Sequence, residues 1–173
     1  MLLAINAAFG PADLAAVPKA AFDLDTGWVS FPRVKTAVAR RCPLWPETIE
    51  ALKDTDKRRP KPANPGLAGR MFLTAKGTAC EKRYRNISIS VMFRAHLKLC
   101  GFYRPDLGLY TLRHVFRTVA DETLDHPAIA MIMGHRDPTM SGLYRQTVSD
   151  DRLGAVVDHV RGWLFGSNLH KSR

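Results

Sequence analysis

Residues 110–144 have the sequence YTLRHVFRTVADETLDHPAIAMIMGHRDPTMSGLY, which is the most informative part of the chain. Its first part predicts a helix over residues 110–120, with apolar side chains at the i, i+3, i+4, i+7 spacing of one face: Leu112, Val115, Phe116 and Val119. A second helix opens with Pro127 and ends at Gly134. Asp137-Pro138 predicts the start of a third, with Tyr144 near its end.

More helices are predicted on either side of this stretch. Residues 151–164 present one apolar face, formed by Leu153, Val156, Val157, Val160 and Leu164. Upstream, residues 88–99 resemble a helix, and Pro46 opens another over residues 47–52. Two short helical pieces, Leu2 to Phe9 and Asp13 to Val17, are separated by Gly10-Pro11, because proline disfavours helical geometry before it.

Strand signals are confined to residues 22–44. Asp25-Thr26-Gly27 predicts a turn, and β-forming residues lie at 28–31 and 41–44. Pro32 and Pro43 are best placed on an edge or at a strand end, since proline cannot donate to the ladder. We therefore expect an α+β fold, mostly α, with a small antiparallel sheet near the N-terminus. Residues 1–166 would form one domain and 167–173 a basic tail.

The composition indicates a polyanionic partner. The formal net charge is +10 and the pI near 10.0, more than solubility requires, although a merely basic surface gives the same numbers. Three cysteines without a paired C-x-x-C predict neither a disulfide framework nor a zinc site, and they fit a reducing cytoplasm. Residues 1–9 are apolar but far too short to span a membrane, so we expect a core helix and no membrane association.

Three side chains of the C-terminal half suit phosphodiester cleavage: Arg113, His135 and Tyr144. A protein nucleophile that attacks a phosphodiester without a metal needs a hydroxyl, cations around the non-bridging oxygens, and a proton donor for the leaving sugar oxygen. Because the ordinary pKa of tyrosine is about 10, Tyr144 needs neighbouring cations or a base to attack at neutral pH. Arg113 and His135 are suitable neighbours.

Leu112-Arg113-His114, Gly134-His135 and Tyr144, nine residues after His135, resemble the C-terminal signature of the tyrosine recombinase (phage integrase) family. Lys35-Thr36 on a hairpin, with Pro43-Leu44 after it, also resembles the lysine-bearing sheet of that family. The likeness covers nearly the whole chain and implies the recombinase catalytic fold. It further implies a missing helical DNA-clamping domain, so that the chain would be truncated at its N-terminus.

The resemblance implies a reaction and a role for each residue. Tyr144 would attack a DNA phosphate to form a 3′-phosphotyrosyl link and release a 5′ hydroxyl, and a second strand would reverse the step. Arg113 would bind the phosphate oxygens, and Lys35 would protonate the leaving oxygen. His135 would hydrogen-bond the phosphate or assist proton transfer, which its near-neutral pKa permits. No metal or cofactor is implied. The partners would be double-stranded DNA and other recombinase subunits, in the recombination or integration of a mobile genetic element.

Two positions depart from the family pattern. Gly10 stands where the first catalytic arginine is expected, and Tyr110 stands where histidine or lysine is expected. Tyr110 can still donate a hydrogen bond. Losing one preorganised donor to a developing oxyanion typically costs about a hundredfold to a thousandfold in rate. Three arginines of the hairpin are candidates to replace the missing one: Arg33, Arg40 and Arg41.

Other interpretations remain open. Tyr144 could be a boundary residue, Arg113 a surface ion-pair partner, His135 a helix-terminus residue, and Lys35 a solvated lysine. The clusters at 40–41, 57–61 and 81–85 could contact phosphates or simply be wet surface. The chain as a whole could be a degenerate recombinase that binds DNA without cutting it, or a basic domain that binds RNA or protein.

Overall fold

The computed structural model describes residues 1–80, 82–83, 86–135 and 148–166. Its α-helices are Leu2–Asn6 (α1), Pro11–Ala16 (α2), Pro46–Lys57 (α3), Ser88–Leu99 (α4), Leu109–Ala120 (α5), His126–Met133 (α6) and Asp150–Gly166 (α7). Its strands are Phe22–Asp23 (β1), Trp28–Ser30 (β2), Arg41–Pro43 (β3), Lys82–Arg83 (β4) and Asn86–Ile87 (β5). The predicted mostly helical α+β fold is confirmed. The predicted helix at Asp137-Pro138 lies outside the described residues.

The main sheet is an antiparallel meander in the order β1-β2-β3. In its register Phe22 pairs with Val29, and Val29 pairs with Cys42. β3 is an edge strand, and Pro43 is its last residue, as the sequence predicts for a residue that cannot donate to the ladder. Residues 31–40 connect β2 to β3 and carry Lys35 to the tip of this hairpin.

The core lies between the N-terminal helices, α5, α7 and the sheet. α5 packs against both α1 and α7, and β3 packs against α7. The side chains of α7 that face inward are Leu153, Val156, Val157 and Val160, as its apolar periodicity predicts. The N-terminal stretch is also buried, which confirms the predicted core helix, and Asn6 at its end accepts a hydrogen bond from the backbone of Trp45 at 2.9 Å.

The structure adds features that the sequence patterns do not show. α3 continues to Lys57, five residues beyond the predicted Leu52, and β4 and β5 form a separate two-stranded sheet. On α5, Phe116 and Val119 are buried as predicted, whereas Leu112 and Val115 are half-buried, and Arg113 is buried instead. Among the described residues, no helix is both long and apolar enough to cross a bilayer.

Candidate functional site

Arg113 lies on the inner face of α5 and is only 1% exposed. Its guanidinium donates to the carbonyl of Ala8 and, at 2.8 Å, to the carbonyl of Met133. Burial lowers the pKa of Arg113 from its ordinary value, and repulsion from nearby Arg33 acts in the same direction. The side chain is therefore a buried cation held by backbone carbonyls, not the surface ion-pair partner of the alternative interpretation.

His135 is the side-chain neighbour of this cation. Its Nε2 lies 3.0 Å from Nη2 of Arg113. Since a guanidinium can only donate, Nε2 accepts this hydrogen bond, and a neutral imidazole keeps its proton on Nδ1. Burial and the charge of Arg113 lower the pKa of His135 to about 4. The near-neutral pKa expected from the sequence is thus shifted well below neutrality, and His135 is uncharged at pH 7.

The end of α6 determines where His135 stands. Gly134 adopts a left-handed conformation with a φ of 61°, and the amide of His135 donates to the carbonyl of Ala130 at 2.9 Å. These two features form a glycine-terminated helix end, which the sequence predicts at this position. A Cβ on Gly134 would lie 2.7 Å from Cβ of Arg33, so glycine also allows the hairpin to approach.

The tip of the β2–β3 hairpin rests against this helix end. The hydroxyl of Thr36 donates to the carbonyl of Gly134 at 3.0 Å, across 98 residues of sequence. The amides of Thr36 and Ala37 both donate to the carbonyl of Arg33, which closes a tight turn at the tip. Lys35 is exposed on this turn. The predicted hairpin lysine therefore stands on a segment that is hydrogen-bonded to the residue before His135.

Asp13 joins the hairpin to the N-terminal helices. This residue is 4% exposed, and its Oδ2 accepts from the amide of Gly10 at 2.9 Å and from Nη1 of Arg40 at 3.3 Å. Its Oδ1 accepts from the amide of Val34 at 3.0 Å. Both carboxylate oxygens are thus engaged, and one buried acid fixes the start of α2 and the hairpin tip together.

Arg40 and Arg41 are neighbours in sequence whose side chains point to opposite sides of the hairpin. Arg40 is buried, with its guanidinium 3.8 Å from the centre of the Phe9 ring and its Nε donating to the carbonyl of Phe31. Arg41 is exposed, stacks on Trp28 and pairs with Asp150. Alternation along an extended segment explains this division. Of these two arginines, only Arg40 lies at the site.

The two departures from the family pattern are in contact with each other. A Cβ on Gly10 would lie 3.6 Å from Cε2 of the Tyr110 ring. Tyr110 is 42% exposed and also packs edge-on against His114, with 4.9 Å between the ring centres. A side chain at residue 10 would therefore begin in ordinary van der Waals contact with this ring.

The structure brings together most of the residues that the sequence singles out. Arg113 and His135 touch, Tyr110 lies beside Gly10 near Arg113, and Lys35 stands on the adjoining turn. Tyr144, the predicted nucleophile, lies outside the described residues. In the part of the chain that the structure describes, no cluster of histidine, cysteine and acidic side chains could hold a metal ion.

Sequence reasoning missed Asp13 altogether and could not choose between Arg40 and Arg41. The sequence does contain one signal that separates the two arginines. Side chains of an extended segment alternate between two faces, so residue 40 shares a face with Cys42, an apolar residue that is buried. For Asp13 the local pattern indicates only an acid in the first turn of α2, where it accepts from the amide of Gly10. Its partners Val34 and Arg40 are 21 and 27 residues away, and only the folded chain brings them together.

Comparison with known proteins finds likeness in structure alone. No protein-family model matches the chain, and no curated protein matches its sequence. The fold is similar to that of the Tn1549 transposon integrase in complex with circular intermediate DNA, with a TM-score of 0.65 and 18% identity over 91% of this chain and 56% of that one.

Two further solved structures extend this likeness. For XerA recombinase the TM-score is 0.63 at 18% identity, over 99% of this chain and 57% of that one. For the integrase from mycobacterium phage Brujita it is 0.63 at 19% identity, over 92% and 49%. At such identities the likeness shows a shared fold. The chain spans about half the length of these three proteins.

Proposed function

We propose that this chain is the catalytic domain, over residues 1–166, of a tyrosine recombinase that recombines or integrates double-stranded DNA. The observation that carries the proposal is the contact between Arg113 and His135, inside a group of cations on a recombinase-like fold. A guanidinium suits phosphate recognition because it offers several donors in a fixed plane. The net charge of +10 adds long-range attraction for DNA.

The proposed reaction begins with attack by Tyr144. Its phenolic oxygen forms a bond to the scissile phosphorus, the bond to the 5′ oxygen breaks, and a 3′-phosphotyrosyl link remains. The phenolic proton passes to a base or to water, and the leaving 5′ oxygen takes a proton from Lys35. The 5′ hydroxyl of a second strand then attacks the same phosphorus and gives its proton to the deprotonated Lys35. The bond between phosphorus and the Tyr144 oxygen breaks, and the phenolate recovers a proton from the base or from water. No oxidation or reduction is involved.

Arg113 and His135 would serve this reaction by stabilising negative charge on the phosphate, and neither would transfer a proton. Arg113 would stabilise the extra negative charge on the non-bridging oxygens in the transition state. His135 is neutral at pH 7, so it is a poor general acid, but its Nδ1 proton can donate a hydrogen bond to a phosphate oxygen. Its contact with Arg113 also orients the guanidinium.

Lys35 is proposed as the proton donor because of the segment that carries it. The hairpin tip is pinned to Asp13 on one side and to Gly134 on the other, so a lysine there approaches the site with a restricted range of positions. Its exposure leaves the ammonium accessible to bound DNA. The other proposed partners are further recombinase subunits on the same DNA, belonging to a mobile genetic element and acting in the cytoplasm.

Covalent capture tests the proposal. The parent protein and its Tyr144→Phe variant are incubated with a randomised pool of suicide duplexes, and adducts are resolved on a denaturing gel. We expect an adduct from the parent and none from the variant. Arg41→Ala is a matched control, since Arg41 is exposed on the outer side of the hairpin, where it pairs with Asp150, and it should leave the adduct in place.

A second candidate function is that of a DNA-binding relative that no longer cuts. Gly10 favours it, because the expected arginine is absent and the Tyr110 ring lies next to this position. A folded parent that binds duplex DNA in a salt-sensitive way but forms no adduct would select this candidate. No preference for duplex DNA would instead favour the RNA- or protein-binding domain.

A further inference from the structure

Arg33 is a half-buried arginine at the hairpin tip, within electrostatic reach of Arg40, Arg113 and His135. Its Cβ packs against Gly134, the residue before His135. Among the residues that the structure describes, none forms a hydrogen bond or ion pair with its guanidinium. Arg33 is therefore a cation at the site whose donors remain available.

The backbone that carries Arg33 is held in place. Its amide donates to the carbonyl of Val38 at 2.9 Å, and its carbonyl accepts from the amide of Ala37 at 2.8 Å. The next residue, Val34, is bound by buried Asp13, and Thr36 is bound to Gly134. These bonds act on both sides of the residue. The side chain of Arg33 therefore projects from a fixed turn. Binding a ligand there requires no further loss of backbone conformational entropy.

Among the described residues, the charges around Arg33 are not fully balanced by acids. Asp13 is the carboxylate of this network, and Arg40 is its ion-pair partner at 3.3 Å. Arg113 is bound by neutral carbonyls and a neutral histidine, so its charge and that of Arg33 have no acidic partner among the described residues. Burial lowers the pKa values of Arg113, Arg40 and His135, and repulsion from Arg33 acts in the same direction on all three. An anion between these cations would remove that repulsion.

We infer that Arg33 binds the non-bridging oxygens of the scissile DNA phosphate together with Arg113, and so replaces the cation that is missing at Gly10. This inference rests on the proposed function for the identity of the anion. Arg33 belongs to the hairpin and lies next to Gly134, whereas residue 10 lies next to the Tyr110 ring. The replacement cation therefore comes from a different segment of the chain.

The first test compares covalent adduct yield on the suicide duplex pool. Arg33→Ala keeps the Cβ that packs on Gly134 and removes only the guanidinium, and we expect a loss of about a hundredfold to a thousandfold. Arg33→Lys keeps the charge without the planar fork, so its loss should be smaller. Arg41→Ala is the matched control, because it removes the same charge from the outer side of the same hairpin and should stay close to the parent.

The second test does not depend on DNA cleavage. The ring resonances of His135 are titrated against pH by NMR, in inorganic phosphate and in chloride of equal ionic strength. Phosphate bound between Arg33 and Arg113 should raise the pKa of His135 above its value of about 4 in the parent and in Arg41→Ala. In Arg33→Ala we expect the chloride value to be higher and the phosphate effect to be lost.

The two tests separate this inference from the proposed reaction. Adducts of equal yield from the parent and Arg33→Ala would overturn the inference and leave the reaction standing. Absence of adduct from the parent, with a phosphate effect that requires Arg33, would support the anion site and refute the reaction. Absence of adduct with the same phosphate response in both proteins would overturn both.

Discussion

Arginines in two regions of this molecule have opposite kinds of neighbour. On the outer surface they pair with acids, as Arg58 does with Asp54 at 2.9 Å and Arg152 with Asp125 at 2.6 Å. At the site, Arg113 is bound by carbonyls and a neutral histidine, and Arg33 faces other cations. The first arrangement is complete in itself. The second has an excess of positive charge, which marks where an anion is expected to bind.

Two adjacent arginines show a second contrast, between a buried and an exposed ion pair. Arg40 is buried with Asp13, whereas Arg41 pairs with exposed Asp150. Surface ion pairs typically contribute below about 1 kcal/mol, but removing one partner of a buried pair leaves an uncompensated charge in the interior and costs about 3–5 kcal/mol. The position of a charge, more than its presence, therefore decides what its loss would cost.

The largest expected difference in stability is between substitutions of the two acids, Asp13 and Asp150. We expect Asp13→Asn to lower the free energy of unfolding by about 3–5 kcal/mol, because Arg40 loses its buried counter-charge. Asp150→Asn should change it by less than about 1 kcal/mol. Urea unfolding followed by circular dichroism measures both. Equal effects in the two variants would show that the Arg40 ion pair is no stronger than a surface pair.

A second comparison uses two arginines on one helix. Arg113→Lys keeps the charge but leaves buried carbonyls without donors, so we expect about 3 kcal/mol of destabilisation and a loss of adduct of about a hundredfold. Arg117→Lys, one turn further along α5, keeps the charge that pairs with Asp121 and should change neither quantity appreciably. Unfolding and covalent capture are measured on the same preparations. A fully active Arg113→Lys would remove Arg113 from the proposed phosphate site.

Two glycines with similar backbone conformation separate strain from crowding. Gly134 and Gly101 have φ values of 61° and 74°, but a Cβ would collide with Arg33 at Gly134 and meet nothing at Gly101. Alanine should cost about 1–2 kcal/mol at Gly101 from left-handed strain alone, and more at Gly134. Only Gly134→Ala should also reduce adduct yield, by displacing the hairpin. Equal stability and equal adduct yield in the two variants would mean that the hairpin moves away from residue 134 without any effect on the site.

The smallest expected effect is a pH dependence from His135. Its pKa is about 4 when folded and about 6.5 when unfolded, so the unfolded chain binds a proton first as the pH falls. The protein should lose stability between about pH 6.5 and pH 4, and screening of this half-exposed ring should keep the loss near 1 kcal/mol. His135→Gln should flatten this part of the curve. An identical pH profile in parent and variant would contradict the lowered pKa.

Local patterns predicted the fold well where the pattern is repeated over a long segment. α5 and α7 were expected from apolar spacing, and the end of α6 from Gly134. The strands β4 and β5 were missed, because two residues are too short to show alternation. The extension of α3 to Lys57 was missed for another reason: its last turns are polar, and no apolar period marks them.

The candidate site was predictable only in part. Motif spacing identified Arg113 and His135, which meet across 22 residues. Motifs report residue types at fixed intervals, and they contain no information on which distant segment supplies a further charge. The role of Asp13 and the position of Arg33 follow from contacts between the hairpin, α2 and the end of α6, which exist only after the chain has folded.

The bond between Arg113 and Ala8 spans 105 residues and ties α5 to the segment after α1. Native-state hydrogen exchange in α1 should therefore follow that of α5, since opening either helix breaks this bond. A single proteolytic cut that releases the first ten residues should abolish the site even if the remaining helices persist. The site therefore depends on segments that are far apart in the sequence, since Arg113 is bound both by Ala8 and by Met133.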